Sequence, residues 1–210
     1  FLSLVILGQW AFAQAPKYSN EFLSIGVGAR GLAMSKAQVA SINDVTAAYW
    51  NPAGLVGLNS DLQVAGQHAE YFVGIANYDY IGLASKIDSS SALGFSFIRF
   101  GVDDIPNTTD LIDQNGRVNY DRITSFSAAD YAFLVSYAKQ MGVKGLSLGG
   151  NAKIIYRQIG DMAKVWGFGL DVGAQYKRGN WQFGATGRDI TSTFNSWSFD
   201  LTERTIEVFE

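Results

Sequence analysis

The sequence predicts an all-β fold, a transmembrane antiparallel β-barrel of the outer-membrane kind, and three observations carry that expectation. From about Asp61 onward, apolar residues alternate with small or polar ones in segments of about ten residues, the length that crosses an outer membrane as a tilted strand. Short polar turns alternate along most of the chain with longer connections, as outer-membrane barrels alternate periplasmic turns with outer loops; Gln158 to Met162 and the ambiguous region around Val73 to Tyr78 are the exceptions, short on the outer side. Aromatic residues make up 14% of the 210 residues and charged residues only 17%, a balance suited to a surface that meets lipid.

The chain opens on "FLSLVILGQWAFAQA", an apolar run that ends in small residues at Ala11, Ala13 and Ala15. This is the pattern of a secretory signal peptide, too short for a membrane span and lacking a starting Met and a basic leading region. Residues 1–15 are therefore expected to be an incomplete signal peptide. Cleavage after Ala13 would make Gln14 the mature start.

Residues 16–60 do not alternate. "SIGVGARG" places Gly26, Gly28 and Gly31 at the spacing of a dinucleotide-binding turn, after a strand-like "EFLSI". That motif needs a buried apolar strand before it, a helix after it and an acidic residue roughly 20 positions on. The preceding run is half polar, Asp44 comes too early, and no strand–helix alternation follows. A short helix is expected in "GLAMSKAQVA", Gly31 to Ala40, and Asn51-Pro52 marks a turn beside Gly54. The segment reads as a compact hatch inside a barrel, with Gly26, Gly28, Arg30, Gly31, Asp44, Asn51, Pro52 and Gly54 as its candidate structural residues.

Residues 61–210 read as the N-terminal part of the barrel, with about seven strands. In "VWGFGLDVGAQYK" one face carries Trp166, Phe168, Leu170, Val172, Ala174 and Tyr176, and the other Gly167, Gly169, Asp171, Gly173 and Gln175. "LSLGGNAKIIYR", "DYAFLVSYAK" and "WQFGATGR" follow the same rule, while Ile98 and Phe100 blur the polar face of "SALGFSFIRF". "DSSS", "MGVKG" and "RGN" are tight turns; Asp103 to Ala128 and the stretch opening at Asp189 are the long outer connections. On that orientation Tyr137, Tyr176 and Trp181 fall near the periplasmic ends of their strands. Tyr131, Tyr156 and Trp166 fall near the outer ends, so amphipathic rings mark both headgroup levels.

Composition excludes several classes. A net charge of -3 with no basic stripe argues against nucleic acid as a partner. With no cysteine and a single histidine, His68, there is no zinc-ligand set, no Cys–His pair and no nucleophile elbow. Neither an enzyme nor a cofactor is expected.

"GVGARGLAMSKAQVASINDVTAAYWNPAGL" resembles the N-terminal signature of the PorV/PorQ family of Bacteroidota outer-membrane proteins, relatives of FadL-type barrels that share the Asn-Pro-Ala-Gly element. "SAADYAFLVSYAKQ", "GGNAKIIYRQIGDMAKVWGFGLDVGAQYK" and "RDITSTFNSW" resemble the PorV branch. One departure is Ser35-Lys36, where the family often has glycine. The resemblance implies a FadL-like barrel of about 14 strands with a lumenal hatch, of which this chain holds roughly half. Ending at "TIEVFE" without a closing strand, the sequence is expected to lack the C-terminal part of the barrel. The resemblance also implies a component of the type IX secretion system that collects secreted cargo by its signal domains at the outer-membrane translocon and delivers it to the attachment complex. Outer loops 103–128 and 189–203 would meet those partners, with Ile105, Leu111, Phe194 and Trp197 as apolar anchors. The competing reading is a FadL-like channel that takes up small hydrophobic molecules past the hatch at Asn51 to Leu55.

Overall fold

The computed structural model describes residues 20–112, 116–191 and 194–199, so the expected signal peptide lies outside the described residues. The strands are β1 (Leu62–Tyr71), β2 (Ala76–Lys86), β3 (Ser91–Asn107), β4 (Thr124–Gln140), β5 (Leu146–Ile159), β6 (Ala163–Arg178), β7 (Trp181–Gly187) and β8 (Phe194–Phe199). Neighbours in sequence pair antiparallel from β1 to β7, and the sheet curls into half a barrel. The architecture is all-β, as the alternation predicts.

Alternation sorts the two faces. On β6, Val165, Gly167, Gly169, Asp171 and Gly173 are buried on the concave side, while Trp166, Phe168 and Val172 are exposed on the convex side. On β4, Ala132, Leu134, Ser136 and Ala138 are buried against exposed Phe133, Val135 and Tyr137. The exposed faces form an apolar outer wall, broken toward one end by the charged group of His68, Asp79 and Arg99. Directly paired residues place Tyr131, Tyr156 and Trp166 in one row across β4, β5 and β6. Their rings lie 6.0 Å and then 4.6 Å apart, the cross-strand aromatic contact that steadies a sheet.

One end of the sheet carries only tight turns, at 87–90, 141–145 and 179–180; the longest described connection, 108–123, lies at the other. In the first of these turns Asp88 accepts bonds from the Ser91 hydroxyl and from the Ser90 amide and hydroxyl, which lower its carboxyl pKa to about 2. The contribution of that carboxylate is complete above its unfolded pKa of about 4 and is lost as pH falls through about 2, so the turn is insensitive to physiological pH. At the loop end β3 and β4 overhang their neighbours by several residues, past a register shift between Val102 and Ile105. The connection expected over 103–128 is accordingly shorter, because both strands run into it.

The second long connection needs correction. β6 carries β7 along Val172–Arg178 and β8 along Ala163–Phe168 on the same edge. Val172 pairs with Gly187, so an unbroken register would set Phe168 against residue 191; it pairs with Phe194 instead. β7 and β8 are thus one strand interrupted by three extra residues. Phe194 and Trp197 stand on β8, not in a loop, and Trp197 pairs with Val165 on the concave face.

Against the concave face packs the segment Asn20 to Leu58. It comprises a 3₁₀ turn (Glu21–Ser24), helix α1 (Ala29–Ala33), helix α2 (Ala47–Trp50) and a 3₁₀ turn (Pro52–Gly57). The strand-like "EFLSI" is therefore helical, and the helix expected over Gly31 to Ala40 is the shorter α1, ended by left-handed residues at Ser35 and Lys36 (φ 51° and 70°). Asp44 starts α2 by accepting from the Thr46 amide at 2.8 Å and hydroxyl at 2.6 Å. Asn51 ends it in an extended conformation and opens the next turn by accepting from Ala53 N–H at 3.2 Å. Val27, Ile42, Tyr49, Trp50 and Leu55 form one buried cluster with Tyr78, Tyr80, Ile98 and Leu134 of the wall. Ile98 thereby loses its anomaly: the concave face is apolar where the segment lies on it.

Candidate functional site

The site is the contact between this inner segment and the wall, together with the loop-end rim above it. Its first feature is a glycine seat. A Cβ on Gly149 of β5 would lie 2.5 Å from Ala53 N and from Pro52 C, and one on Gly173 of β6 would lie 2.1 Å from Asn51 Oδ1. Gly184 of β7 is as close to Val39 O, at 2.5 Å, and Gly94 of β3 leaves 3.1 Å to Leu55. Adjacent strands lose their side chains where the Asn51-Pro52-Ala53 backbone comes against them.

Hydrogen bonds fasten what the glycines admit. Asn51 Nδ2 donates to Val39 O at 2.8 Å and to Ala174 O of β6 at 3.0 Å. Gln175 Nε2 donates back to Val39 O and Ile42 O at 3.1 and 3.0 Å. From β1, Gln67 accepts from Gly28 N–H at 2.6 Å and Gln63 from Val45 N–H at 3.0 Å. Thr186 and Arg188 donate to the carbonyls of Trp50 and Tyr49. Every amide named on the wall thus meets segment backbone that would otherwise be a costly buried polar group.

A charged cluster closes the seat near β6. Lys153 Nζ lies 2.7 Å from both Asp171 Oδ1 and Asp189 Oδ1, with Lys153 3% and Asp171 5% exposed. Asn151 links it to the segment, donating to Ala48 O at 2.8 Å and to Asp171 Oδ2 at 3.2 Å. The interruption between β7 and β8 has its reason here: it turns Asp189 onto Lys153 and lays Arg188 over the Tyr49 ring, 4.8 Å from its centre.

The predicted structural residues divide. Gly26 and Gly31 hold the Trp50 ring, where a Cβ would come within 3.2 and 2.8 Å, and the indole Nε1 donates to Val27 O at 2.9 Å. Gly26 and Gly28 also occupy left-handed φ, 103° and 78°. Gly54 clears Ile42 O, which a Cβ would approach to 2.4 Å, and Pro52 and Asn51 sit on the seat. Arg30 is exposed on α1, apart from these contacts. No helix among the described residues can cross a membrane, and no group of side chains among them is placed to hold a metal ion.

Of the expected rim anchors, Ile105 lies on β3 and lines a cleft of about 630 Å³ with Gly74, Ile75 and Pro106. Leu111 is half-buried in the connection, where its carbonyl accepts from Asn119 N–H at 2.8 Å. Sequence reasoning missed the β1–β2 tip. Phe72 and Val73 hold left-handed φ of 55° and 60°, and Val73 is fully exposed. An apolar pair where a hairpin favours Asn-Gly is strained and undissolved in any core, and that mismatch was the available signal.

The sequence model of the family described as type IX secretion system protein PorV matches residues 14–194. The chain belongs to the PorV family. The match covers the inner segment and every wall strand through β7. No curated protein matches the chain. The PorV family is one of secretion-system proteins, not of enzymes, and with the half-barrel it assigns an outer-membrane, type IX role. Ser35 and Lys36 both hold left-handed φ, a backbone conformation that glycine adopts without strain. Ser35→Gly in this PorV chain is expected to stabilise the fold by about 1 kcal/mol, read as a higher urea midpoint in lipid vesicles.

Proposed function

We propose that the protein is a PorV-type shuttle that binds secreted substrates, or their signal domains, at the type IX translocon and hands them to the surface attachment machinery. The observation that carries this reading is the seated hatch. Its backbone is locked into a glycine seat, bonded to β1, β5, β6 and the residues following β7, and sealed by a buried cluster of one lysine and two carboxylates. Such a plug favours work at the rim over passage through the lumen. With the longer-loop end taken as the outer one, the rim offers apolar side chains to a protein partner: Phe72, Val73 and Ile75 of the β1–β2 tip, and Ile112, Val118 and Tyr120 of the 108–123 connection.

The test is affinity purification of the full-length protein from outer membranes in mild detergent, with mass spectrometry of its companions. Recovery of translocon or attachment-complex proteins, or of cargo with type IX signal domains, is expected for the wild type. Replacing Phe72 with Asn and Val73 with Gly, which relieves the turn while removing its apolar tip, is expected to lower that recovery. A barrel that emerges alone with a small hydrophobic molecule inside would overturn the shuttle in favour of uptake.

A further inference from the structure

At the tight-turn end of the convex wall, β6 and β7 frame a cleft of about 670 Å³ lined by Tyr176, Arg178, Gly179, Asn180, Trp181 and Phe183. Its sides are rings: Phe183 stacks on Tyr176 across the strand pair and on Trp181 along β7, with centres 6.5 and 6.4 Å apart. Arg178 pairs with Trp181 at the last register position, and Gly179 reverses the chain at φ 58°, where a Cβ would meet nothing within 4 Å. The turn thus adds no bulk over the guanidinium. Toward the middle of the wall the rings give way to Leu148, Ala174 and Ala185 in one register row, a strip of low relief.

Twice on this face a cation follows a ring. On β4 Tyr137 is followed two residues on, and so on the same side, by Lys139; on β6 Tyr176 is followed by Arg178. Lys144 stands in the β4–β5 turn. All three are exposed, and none takes part in the ion pairs among the described residues. The acids at this end, Asp61 and Asp88, belong to the β1–β3 side, and Ser90 and Ser91 bond both oxygens of Asp88. At the other ring level Arg99 is already balanced by Asp79 and Asp103, and Asp161 adds a further acid. The wall is therefore positive outside one level of rings and acidic at the other. Rings mark where hydrocarbon ends, so a cation one step outside them lies at the level of lipid phosphates. An arginine without a carboxylate, above rings and a low-relief apolar strip, fits an amphiphile with a phosphate head and acyl chains. Positive charge with no acid beside it favours a head of net negative charge over a zwitterionic one.

We propose that this cleft binds an anionic phospholipid of the periplasmic leaflet. Its phosphate sits on Arg178, Lys139 and Lys144 supply the surrounding positive field, and its acyl chains follow the Leu148–Ala174–Ala185 strip. The inference rests on the convex wall facing lipid and the tight-turn end being periplasmic, and is independent of what the rim binds. The test uses full-length protein in nanodiscs of phosphatidylethanolamine and phosphatidylglycerol in equal amounts. Native mass spectrometry counts the lipids that stay bound after mild detergent release. The wild type is expected to retain phosphatidylglycerol preferentially. Arg178→Gln is expected to lower that preference about fivefold, the factor that one cation near an anionic surface supplies. Lys164→Gln, which removes an exposed cation on the same face at the other end of β6, is expected to keep it. Heat-modifiable migration checks that each variant is folded. Equal retention of the two lipids by the wild type, an unchanged preference in folded Arg178→Gln, or its loss in Lys164→Gln would overturn the proposal. So would a photocrosslinker at position 180 that captures protein in place of lipid in whole membranes.

Discussion

Valine at position 149 is expected to unseat the inner segment and destabilise the protein by at least about 3 kcal/mol. Overpacking a core costs about 1–3 kcal/mol when neighbouring side chains can yield. Here the atoms met are Ala53 N and Pro52 C, 2.5 Å from the new Cβ, and backbone held by Pro52 and Asn51 cannot step aside. Gly173→Val, 2.1 Å from Asn51 Oδ1, is expected to act likewise and to break the amide's bond to Ala174 O. Gly66→Val is the control, since its Cβ on the convex side of β1 meets nothing within 4 Å and should change stability by less than about 0.5 kcal/mol. Urea unfolding in lipid vesicles measures the difference. Limited trypsin digestion tells where it arises: the seat variants should be cut at exposed Lys36 while the strands persist.

Lys153→Met is the second large effect. It leaves Asp171, 5% exposed, and Asp189, 16% exposed, without their shared cation, and breaking a buried pair in this way costs about 3–5 kcal/mol. Adding Asp171→Asn and Asp189→Asn should recover a large part of the loss, because the carboxylates, not the missing lysine, carry the penalty. The same unfolding assay reads both steps. Recovery by the triple variant separates an electrostatic role from simple loss of the lysine's packing.

The wall was legible because period-two alternation is a local property: Trp166, Phe168 and Val172 announce a face by themselves. The opposite face was legible only as small and polar. Why Gly149 and Gly173 must be glycine is written at Asn51 to Ala53, about a hundred residues away, and no spacing within β5 or β6 reports it. "SIGVGARG" shows the same limit at short range. Its glycines could be called packing residues, but their object, the Trp50 ring, lies outside the motif. The break between β7 and β8 read as a loop because Arg188 and Asp189 are polar, whereas their partners Tyr49 and Lys153 draw them inward. Phe194 and Trp197 consequently looked like loop anchors when their backbone belongs to β6's edge.

The central claim is that the protein works at its rim with the hatch in place. Ala48 Cβ lies 3.3 Å from the Cβ that Gly94 would carry, close to the separation a disulfide needs, and the chain has no cysteine of its own. The most direct measurement is secretion of type IX cargo by cells carrying full-length Ala48→Cys/Gly94→Cys protein, with the bond oxidised and then reduced. The account predicts equal secretion in both states. Secretion that stops on oxidation and returns on reduction would show that the hatch must move, and would contradict it.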